Sequence, residues 1–333
     1  MSGRATQPSR VSETSVFIHS VFRATGLSKM TLFTRQKYLI SLGLTKDNYE
    51  RVLSDTSIAR SDNINTWITR VFHVISFLKL VKSTQLLAKY TSIAEDLKPK
   101  SMAIRNDNRK RDKFIDRETL MSKLREQSPL IPYTNADLRD NRGAWITRYQ
   151  DVEHWVLTAM YVLSPPARND YGMVRIVKRK ADLDEHHNSI LISPRSIYVY
   201  LTQFKTVHSF GTMRLTLNPE VSSAVRYMIR LRKALKLNSN VLFNSVSPAG
   251  MRVSDESPDL TIRPISKENI LYHIRIASMK YFGSEQSIND YRHSYETWLQ
   301  ASDAYQKMTT EERAKEHEKL LHHHQTGVMY NRV

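Results

Sequence analysis

The sequence predicts a mainly α-helical protein with a small antiparallel β-sheet, built as a helical domain followed by an α+β domain. Three observations support this fold class. Apolar residues recur at spacings of three and four in the first third of the chain, a densely charged stretch follows, and short β-rich runs occur only in the middle. With 333 residues, 40% of them hydrophobic, the chain is long enough for about two domains.

The first domain is predicted over residues 13–100, after a flexible arm at residues 1–12 that lacks the apolar segment of a secretory signal. Helical periodicity is present at residues 16–22, 31–42, 63–79 and 84–93, which favours a small helical bundle. In residues 101–115 polar and charged side chains are so frequent that no apolar periodicity is visible, so we expect a basic linker. Most charged linkers contact only water, but a linker that crosses the phosphate backbone of a nucleic acid would have the same composition.

The second domain is predicted over residues 116–333. Helical periodicity at residues 119–125 and 148–162 precedes four β-rich runs, MVRIVK, SILI, SIYVYLTQF and MRLTL, which predict the antiparallel sheet. The pattern then returns to helices, at residues 222–235, 267–279, 291–301 and 311–323.

The charge balance favours a polyanionic partner. The chain has 50 Lys and Arg against 33 Asp and Glu, a formal net charge of +17, and nucleic acid is the first partner that such an excess suggests. Residues 1–115 alone contain 20 basic and nine acidic side chains. The longest apolar stretches, such as residues 71–81, are interrupted by His73 and Lys79 and fall short of the ~20 residues that span a membrane.

Several chemistries are excluded by missing residue types and motifs. The sequence has no cysteine, which removes disulfides, thiolate metal sites and a cysteine nucleophile. Neither a glycine-rich phosphate loop nor an HExxH or EF-hand signature occurs, so we expect no nucleotide cofactor and no metal. The run DLDEHH at residues 182–187 has metal-ligand side chains, but it lies between two predicted strands and is best interpreted as a polar hairpin turn.

What remains is a set of phosphate-compatible side chains in the second domain. Each has an ordinary structural interpretation when taken alone, such as a surface ion pair or a solvated helix end. Their local contexts are a turn after Pro-Pro, a hairpin loop that Gly211 closes, a helix start where N–H groups favour an anion, and the last residues of the chain. The candidates are Arg168, Lys205, Asn289, Arg292, His322 and Tyr330.

The order of these residues resembles the tyrosine recombinase (phage-type integrase) family, whose signature runs arginine, hairpin lysine, His-x-x-Arg, His or Trp, and tyrosine. YRHSYETW is similar to the family's LRHSFAT, and HHHQTGVMY is similar to HSxxTxxxY. PPARNDY resembles the PPRRxDY of integrases from mobile elements and viruses of eukaryotes. The resemblance implies a DNA-binding core-binding domain at residues 13–100 and a catalytic domain at residues 116–333.

The resemblance also implies a mechanism and partners. Arg168 and Arg292 would donate bidentate hydrogen bonds to the phosphate, a geometry that lysine cannot reproduce. Lys205 would be the general acid, His322 would contact the phosphate or assist the nucleophile, and Tyr330 would form a 3′-phosphotyrosine. The partners would be double-stranded DNA and three further copies, in a homotetramer on paired recombination sites inside the cell, with no metal, nucleotide cofactor or membrane.

One motif position departs from the family, and alternatives stay open. Asn289 replaces the usual histidine and cannot exchange a proton near neutral pH, while the neighbouring His293 is a weaker substitute. A type IB topoisomerase-like enzyme and a catalytically inactive DNA-binding protein are the alternative functions. Because three residues follow Tyr330, we expect the contacts between copies in the helical domain or at residues 309–319, with cleavage in cis; donation of the tyrosine helix in trans is the other arrangement.

Overall fold

Two units with separate apolar cores make up the chain, residues 1–111 and residues 112–333. The computed structural model describes residues 10–23, 25–27, 29–108, 114–248 and 260–321. Most of these residues are helical, and four of the six described strands form one small sheet. This confirms the predicted fold class. None of the helices described is both long enough and apolar enough to span a membrane.

Unit 1 is helical, and its described helices are α1 (Arg10–Phe22), α2 (Lys29–Ser41), α3 (Tyr49–Ser54), α4 (Ile64–Val81) and α5 (Thr84–Asn108). The four predicted helices are confirmed, and the short α3 is an addition. Since α1 begins at Arg10, residues 10–12 are helical and do not belong to an arm. The apolar pattern begins later because the first turn of this helix is polar and carries Glu13, which suits a helix N-terminus.

The helix α4 supplies much of the core of unit 1. The side chain of Asn63 accepts a hydrogen bond from the Thr66 amide at 3.0 Å and caps the helix start. Lys82 adopts the left-handed conformation that ends it. Its buried side chains are Ile68, Val71, Val74, Ile75, Phe77 and Leu78.

The predicted linker at residues 101–115 is partly wrong, because α5 continues to Asn108. Ser101 is buried and donates a 2.7 Å hydrogen bond to Asn65 on α4, so unit 1 holds this part of α5 by a tertiary contact. Polar residues extend an existing helix at little cost, since each adds a backbone hydrogen bond without a new nucleation step. Residues 109–113 lie outside the described residues.

Unit 2 contains nine described helices: α6 (Arg117–Glu126), α7 (Asn135–Asp140), α8 (Arg142–Val162), α9 (Val207–Phe210), α10 (Pro219–Ala234), α11 (Ile270–Phe282), α12 (Ile288–Ala301), α13 (Asp303–Lys307) and α14 (Thr310–Glu318). All the helices predicted for this unit are present, with ends that differ by a few residues. The helix α8 is its centre, because residues 155–162 are buried on every side. A helix that is buried all round lies inside the core of its unit.

The main sheet of unit 2 has four strands in the order β1 (Arg175–Val177), β2 (Ser189–Ile192), β3 (Ile197–Leu201) and β4 (Met213–Thr216). The pairs β2–β3 and β3–β4 are antiparallel, as predicted, but β1 and β2 are parallel. The sheet is therefore mixed, and DLDEHH lies in a crossover loop, not in a hairpin turn. Alternating side chains reveal which face of a strand is buried but not its direction, so the sequence could not show this.

A second, two-stranded sheet was not predicted. The strands β5 (Asn244–Pro248) and β6 (Leu260–Pro264) pair antiparallel, with Pro248 opposite Leu260. Residues 249–259 between them lie outside the described residues. The second strand leads through Ile265 and Lys267 toward α11, and this connection contributes to the site described below.

Candidate active site

Arg168 lies in the turn that follows α8. The helix ends at Val162 before Pro165 and Pro166, since a proline cannot continue a helix. A short 3₁₀ turn, Asn169–Tyr171, then leads toward β1, as the sequence predicted. The buried hydroxyl of Tyr161 donates a 2.6 Å hydrogen bond to the Arg168 carbonyl, which fixes the backbone of the turn to α8.

The side chain of Arg168 is half-buried. Its Nη1 is buried and makes no hydrogen bond within the part of the chain that the structure describes. A buried guanidinium nitrogen without an acceptor costs free energy, so this side chain is suited to an incoming anion.

Asp170 is a buried carboxylate surrounded by cations, and no sequence motif marked it as part of the site. Its side chain is almost completely buried, and its Oδ1 lies 3.9 Å from Lys267 Nζ. Burial raises the pKa of Asp170, while the positive charges of Lys267, Arg168 and Arg292 oppose that rise. Three cations around one carboxylate leave a local excess of positive charge.

Arg292, on the second turn of α12, connects two distant segments of the chain. The residue is completely buried, with 0% of its surface exposed. Its Nη1 donates to the Pro166 carbonyl at 2.8 Å, and its Nη2 donates to the Leu320 carbonyl at 2.7 Å. Each terminal nitrogen thus donates to a main-chain carbonyl, and the bidentate contact of Arg292 to a phosphate stays a prediction.

The N-terminus of α12 differs from the prediction of a free anion site. Ser287 caps the helix by accepting from the Asp290 amide, and the Asp290 carboxylate accepts from the Ser287 amide at 2.8 Å. The negative charge that a helix N-terminus favours is thus supplied by the helix itself. Asn289 is exposed in this first turn, and His293 is half-buried one turn later.

Lys205 is exposed in the loop between β3 and β4, so the predicted hairpin position is confirmed. Gly211 closes this loop with φ 65° and ψ −161°, a conformation that is open only to glycine. The neighbouring Thr206 donates its hydroxyl to the Leu321 carbonyl at 3.1 Å. The lysine loop is therefore tied to the residue that directly precedes His322.

These hydrogen bonds bring together three predicted motifs and the two residues that precede the fourth. Arg292 contacts the segment that carries Arg168, and residues 320–321 contact both Arg292 and the lysine loop. His322 and Tyr330 lie outside the described residues. The convergence holds for the four segments up to Leu321.

A buried hydrogen-bond network holds α14, the helix that precedes residues 320–321. His317 on α14 is completely buried, its Nδ1 lies 3.0 Å from Glu296 Oε1, and its Nε2 lies 2.7 Å from the Tyr305 hydroxyl. These contacts join α14 to α12 and α13, and Leu320 packs against Tyr295 and Tyr305. The polar pattern of α14 gave no sign of this network, because its partners are distant in sequence.

Within the described residues no three His, Asp or Glu side chains form a group that could hold a metal ion. In the DLDEHH loop, Asp184 lies 2.8 Å from His187 Nδ1 and 3.5 Å from Arg175. These contacts hold the pKa of Asp184 below its usual range, the hydrogen bond to His187 being the largest cause. The run therefore belongs to the loop that joins two parallel strands, and the predicted hairpin turn is wrong.

Comparison with known proteins adds little. No protein-family model matches the chain, and no curated protein matches its sequence. Among solved structures, the crystal structure of XerA recombinase is similar with a TM-score of 0.35 and 13% sequence identity, over 96% of this chain and 92% of that chain. A similarity at this level carries no conclusion about function, which depends on the geometry above.

Proposed function

We propose that this protein is a site-specific DNA recombinase of the tyrosine recombinase type, which cleaves and rejoins DNA strands through a 3′-phosphotyrosyl intermediate. The observation that carries the proposal is the hydrogen bonding of Arg292, which joins the segment of Arg168 to the residues before His322. This one buried side chain bonds to residues that are 126 and 28 positions away in the sequence. Such convergence is what a phosphoryl-transfer site needs, since its catalysis depends on fixed charges in fixed positions.

Arg168 is the candidate donor to the non-bridging phosphate oxygens. It is half-buried, and its Nη1 has no acceptor within the described residues. Arg292 has a structural role beside its expected contact to the phosphate. It holds the Arg168 turn and residues 320–321 in place, and its charge lies within the same cluster.

The proposed reaction exchanges one phosphodiester bond for another. The hydroxyl oxygen of Tyr330 attacks phosphorus, the 3′-phosphotyrosyl bond forms, and the bond to the 5′ oxygen breaks. Lys205 gives a proton to the leaving 5′ oxygen, and its exposed position in the hairpin loop suits a group that meets DNA. His322 contacts the phosphate or takes the tyrosine proton, and the reverse reaction reseals the strand without an external energy source.

Double-stranded DNA is the proposed substrate, and four copies on two recombination sites the proposed assembly. Residues 1–115 carry a net charge of +11, which suits contacts to the phosphate backbone. The exchange of four strands requires four active sites.

A nicked duplex tests the function, because the short strand released on cleavage diffuses away and traps the covalent complex. Since the target sequence is unknown, we would use a pool of nicked duplexes with randomised sequence. We expect a denaturation-resistant protein–DNA adduct with the wild-type chain and none with Tyr330→Phe, which should bind DNA as before because it loses no charge. An adduct that persists in Tyr330→Phe would refute the assignment of the nucleophile.

The trapped sequences also separate the alternatives. When paired in one reaction, they should give Holliday junctions if the protein is a recombinase. Relaxation of supercoiled DNA without junctions would indicate the topoisomerase-like activity, and DNA binding without any adduct would indicate an inactive binding protein.

A further inference from the structure

Asn188, the residue before β2, connects the two loops that carry Arg168 and Lys205. Its side chain is 3% exposed. Its Nδ2 donates to the Asp170 carbonyl at 3.0 Å and to the Gln203 carbonyl at 3.1 Å. Its Oδ1 accepts from the backbone amides of Thr202 and Gln203, at 2.9 Å and 2.8 Å.

These four bonds use the full hydrogen-bonding capacity of an amide side chain, two N–H donors and two acceptor sites. Aspartate has the same shape but no donors, and leucine has neither donors nor acceptors. Loss of the side chain would take these partners from two carbonyls and two amides, one of them buried and the others partly buried, at a cost in free energy. Asparagine suits this position because all of its hydrogen-bond donors and acceptors are used there.

The bonded residues lie close to the two cations of the proposed reaction. Asp170 is two residues after Arg168, and Gln203 is two residues before Lys205. The Asn188 side chain binds the backbones of both loops. The distance between the two loops is therefore fixed as closely as hydrogen-bond lengths allow. Lys205 is exposed and flexible along its four-carbon stem, so its backbone anchor decides where the ammonium group can reach.

Lys267 provides a second tie to the same point. Its Nζ donates to the Gln203 carbonyl at 2.6 Å, and its own carbonyl accepts from Asn169 at 3.2 Å. Gly172 permits this close approach, because a Cβ there would lie 2.7 Å from the Lys267 backbone. The Nζ of Lys267 also lies 3.9 Å from Asp170 Oδ1, but only as an ion pair, whereas Asn188 forms hydrogen bonds to the backbone of both the arginine turn and the lysine loop.

We infer that Asn188 is a positioning residue that sets the distance between Arg168 and Lys205, and thereby delivers the general acid to the leaving 5′ oxygen. This inference rests on the proposed function. A purely structural asparagine would affect every substrate alike, whereas a positioning residue for the acid affects only substrates whose leaving group needs a proton.

The test uses Asn188→Ala and Asn188→Asp in the full chain, on nicked duplexes whose bridging 5′ atom is either oxygen or sulfur. A sulfur leaving group needs no protonation. For Asn188→Ala we expect a loss of about 10²-fold in single-turnover cleavage of the oxygen substrate, the scale on which misplacement of about 1 Å acts. On the sulfur substrate we expect less than a tenfold loss for Asn188→Ala. Asn188→Asp, which places a carboxylate oxygen against the Asp170 and Gln203 carbonyls, should cleave the oxygen substrate no better than Asn188→Ala.

The matched control is Asn244→Ala. Asn244 is equally buried in unit 2 and hydrogen-bonded to Ser239 and Val241, but it contacts neither of the two loops. It should lower cleavage of both substrates by the same factor, if at all. An equal loss on both substrates in Asn188→Ala, or no loss on either, would overturn the inference.

Amide hydrogen exchange tests the same inference without cleavage. Asn188→Ala should speed exchange in peptides that cover residues 168–175 and 200–206, and Asn244→Ala should change neither. Unchanged exchange in both peptides would overturn the inference even if the protein cleaves DNA. A wild-type chain that forms no adduct on either substrate would instead refute the proposed function, and exchange would still decide whether Asn188 holds the two loops.

Discussion

Replacing Arg292 by alanine should destabilise unit 2 far more than replacing Arg168, although both changes should strongly lower DNA cleavage. Arg292 donates two hydrogen bonds, to the Pro166 and Leu320 carbonyls, from a completely buried guanidinium. Hydrogen bonds from charged groups contribute about 1.5–3 kcal/mol each, so the loss of both costs about 3–6 kcal/mol. That is a large part of the ~5–15 kcal/mol that stabilises a typical domain.

Arg168 should behave oppositely in the same measurement. Its Nη1 is buried without a hydrogen-bond acceptor in the described residues, so alanine removes an uncompensated polar group. We expect the free energy of unfolding to change by less than about 1 kcal/mol in either direction. Cleavage should still fall by ~10²–10³-fold, the cost of removing one donor from a charge-stabilising site.

Urea unfolding followed by tryptophan fluorescence separates the two variants. In a Trp67→Phe background the remaining tryptophans, Trp145, Trp155 and Trp298, all report on unit 2. With a urea dependence of about 3 kcal/mol per M, the midpoint of Arg292→Ala should fall by about 1–2 M. An Arg292→Ala midpoint equal to wild type, or an equal fall in Arg168→Ala, would refute the assigned roles.

Three further predictions concern the acid, a buried carboxylate and the basic end of the chain. Lys205→Ala should cleave an oxygen-bridged duplex poorly and a 5′-sulfur-bridged duplex almost normally, because a thiolate leaves without protonation. Burial raises the pKa of Glu153 to about 8, so the folded protein binds this proton more tightly and stability falls between about pH 5 and pH 8, by up to about 1.4 kcal/mol per pH unit. Glu153→Gln should remove that fall in urea titrations compared with wild type. Residues 1–115 should bind duplex DNA weakly and with strong salt dependence, because they carry a charge of +11.

Each of these has a clear contrary result. Equal defects of Lys205→Ala on both duplexes would move the general acid elsewhere, with His322 the next candidate. An unchanged pH slope in Glu153→Gln would show that the carboxyl is ionised at low pH despite its burial. Failure of residues 1–115 to bind DNA at low salt would assign their charge to another partner.

The local contexts of Arg168 and Lys205 could be predicted because short-range rules fix them. Pro165 and Pro166 end α8, and Gly211 closes the lysine loop with a conformation that only glycine tolerates. The helix of Arg292 was also predicted, since its apolar periodicity is strong.

The buried state of Arg292 and the role of Asn188 could not be predicted. The acceptors of Arg292 are carbonyls 126 and 28 residues away, and a carbonyl is present at every residue, so no sequence pattern marks them. Asn188 likewise bonds to backbone groups of three other residues. The parallel pairing of β1 and β2 depends on how the crossover loop folds back, which residue alternation does not encode.

The most direct test of the central claim is mass spectrometry of the adduct trapped on a nicked duplex. Protease digestion should leave one peptide attached to DNA. We expect this peptide to contain Tyr330, linked through its oxygen to a 3′ phosphate, and we expect Arg168→Ala to reduce its yield greatly. Attachment at another residue, linkage to a 5′ phosphate, or no adduct from a chain that binds the duplex would refute Tyr330 as the nucleophile.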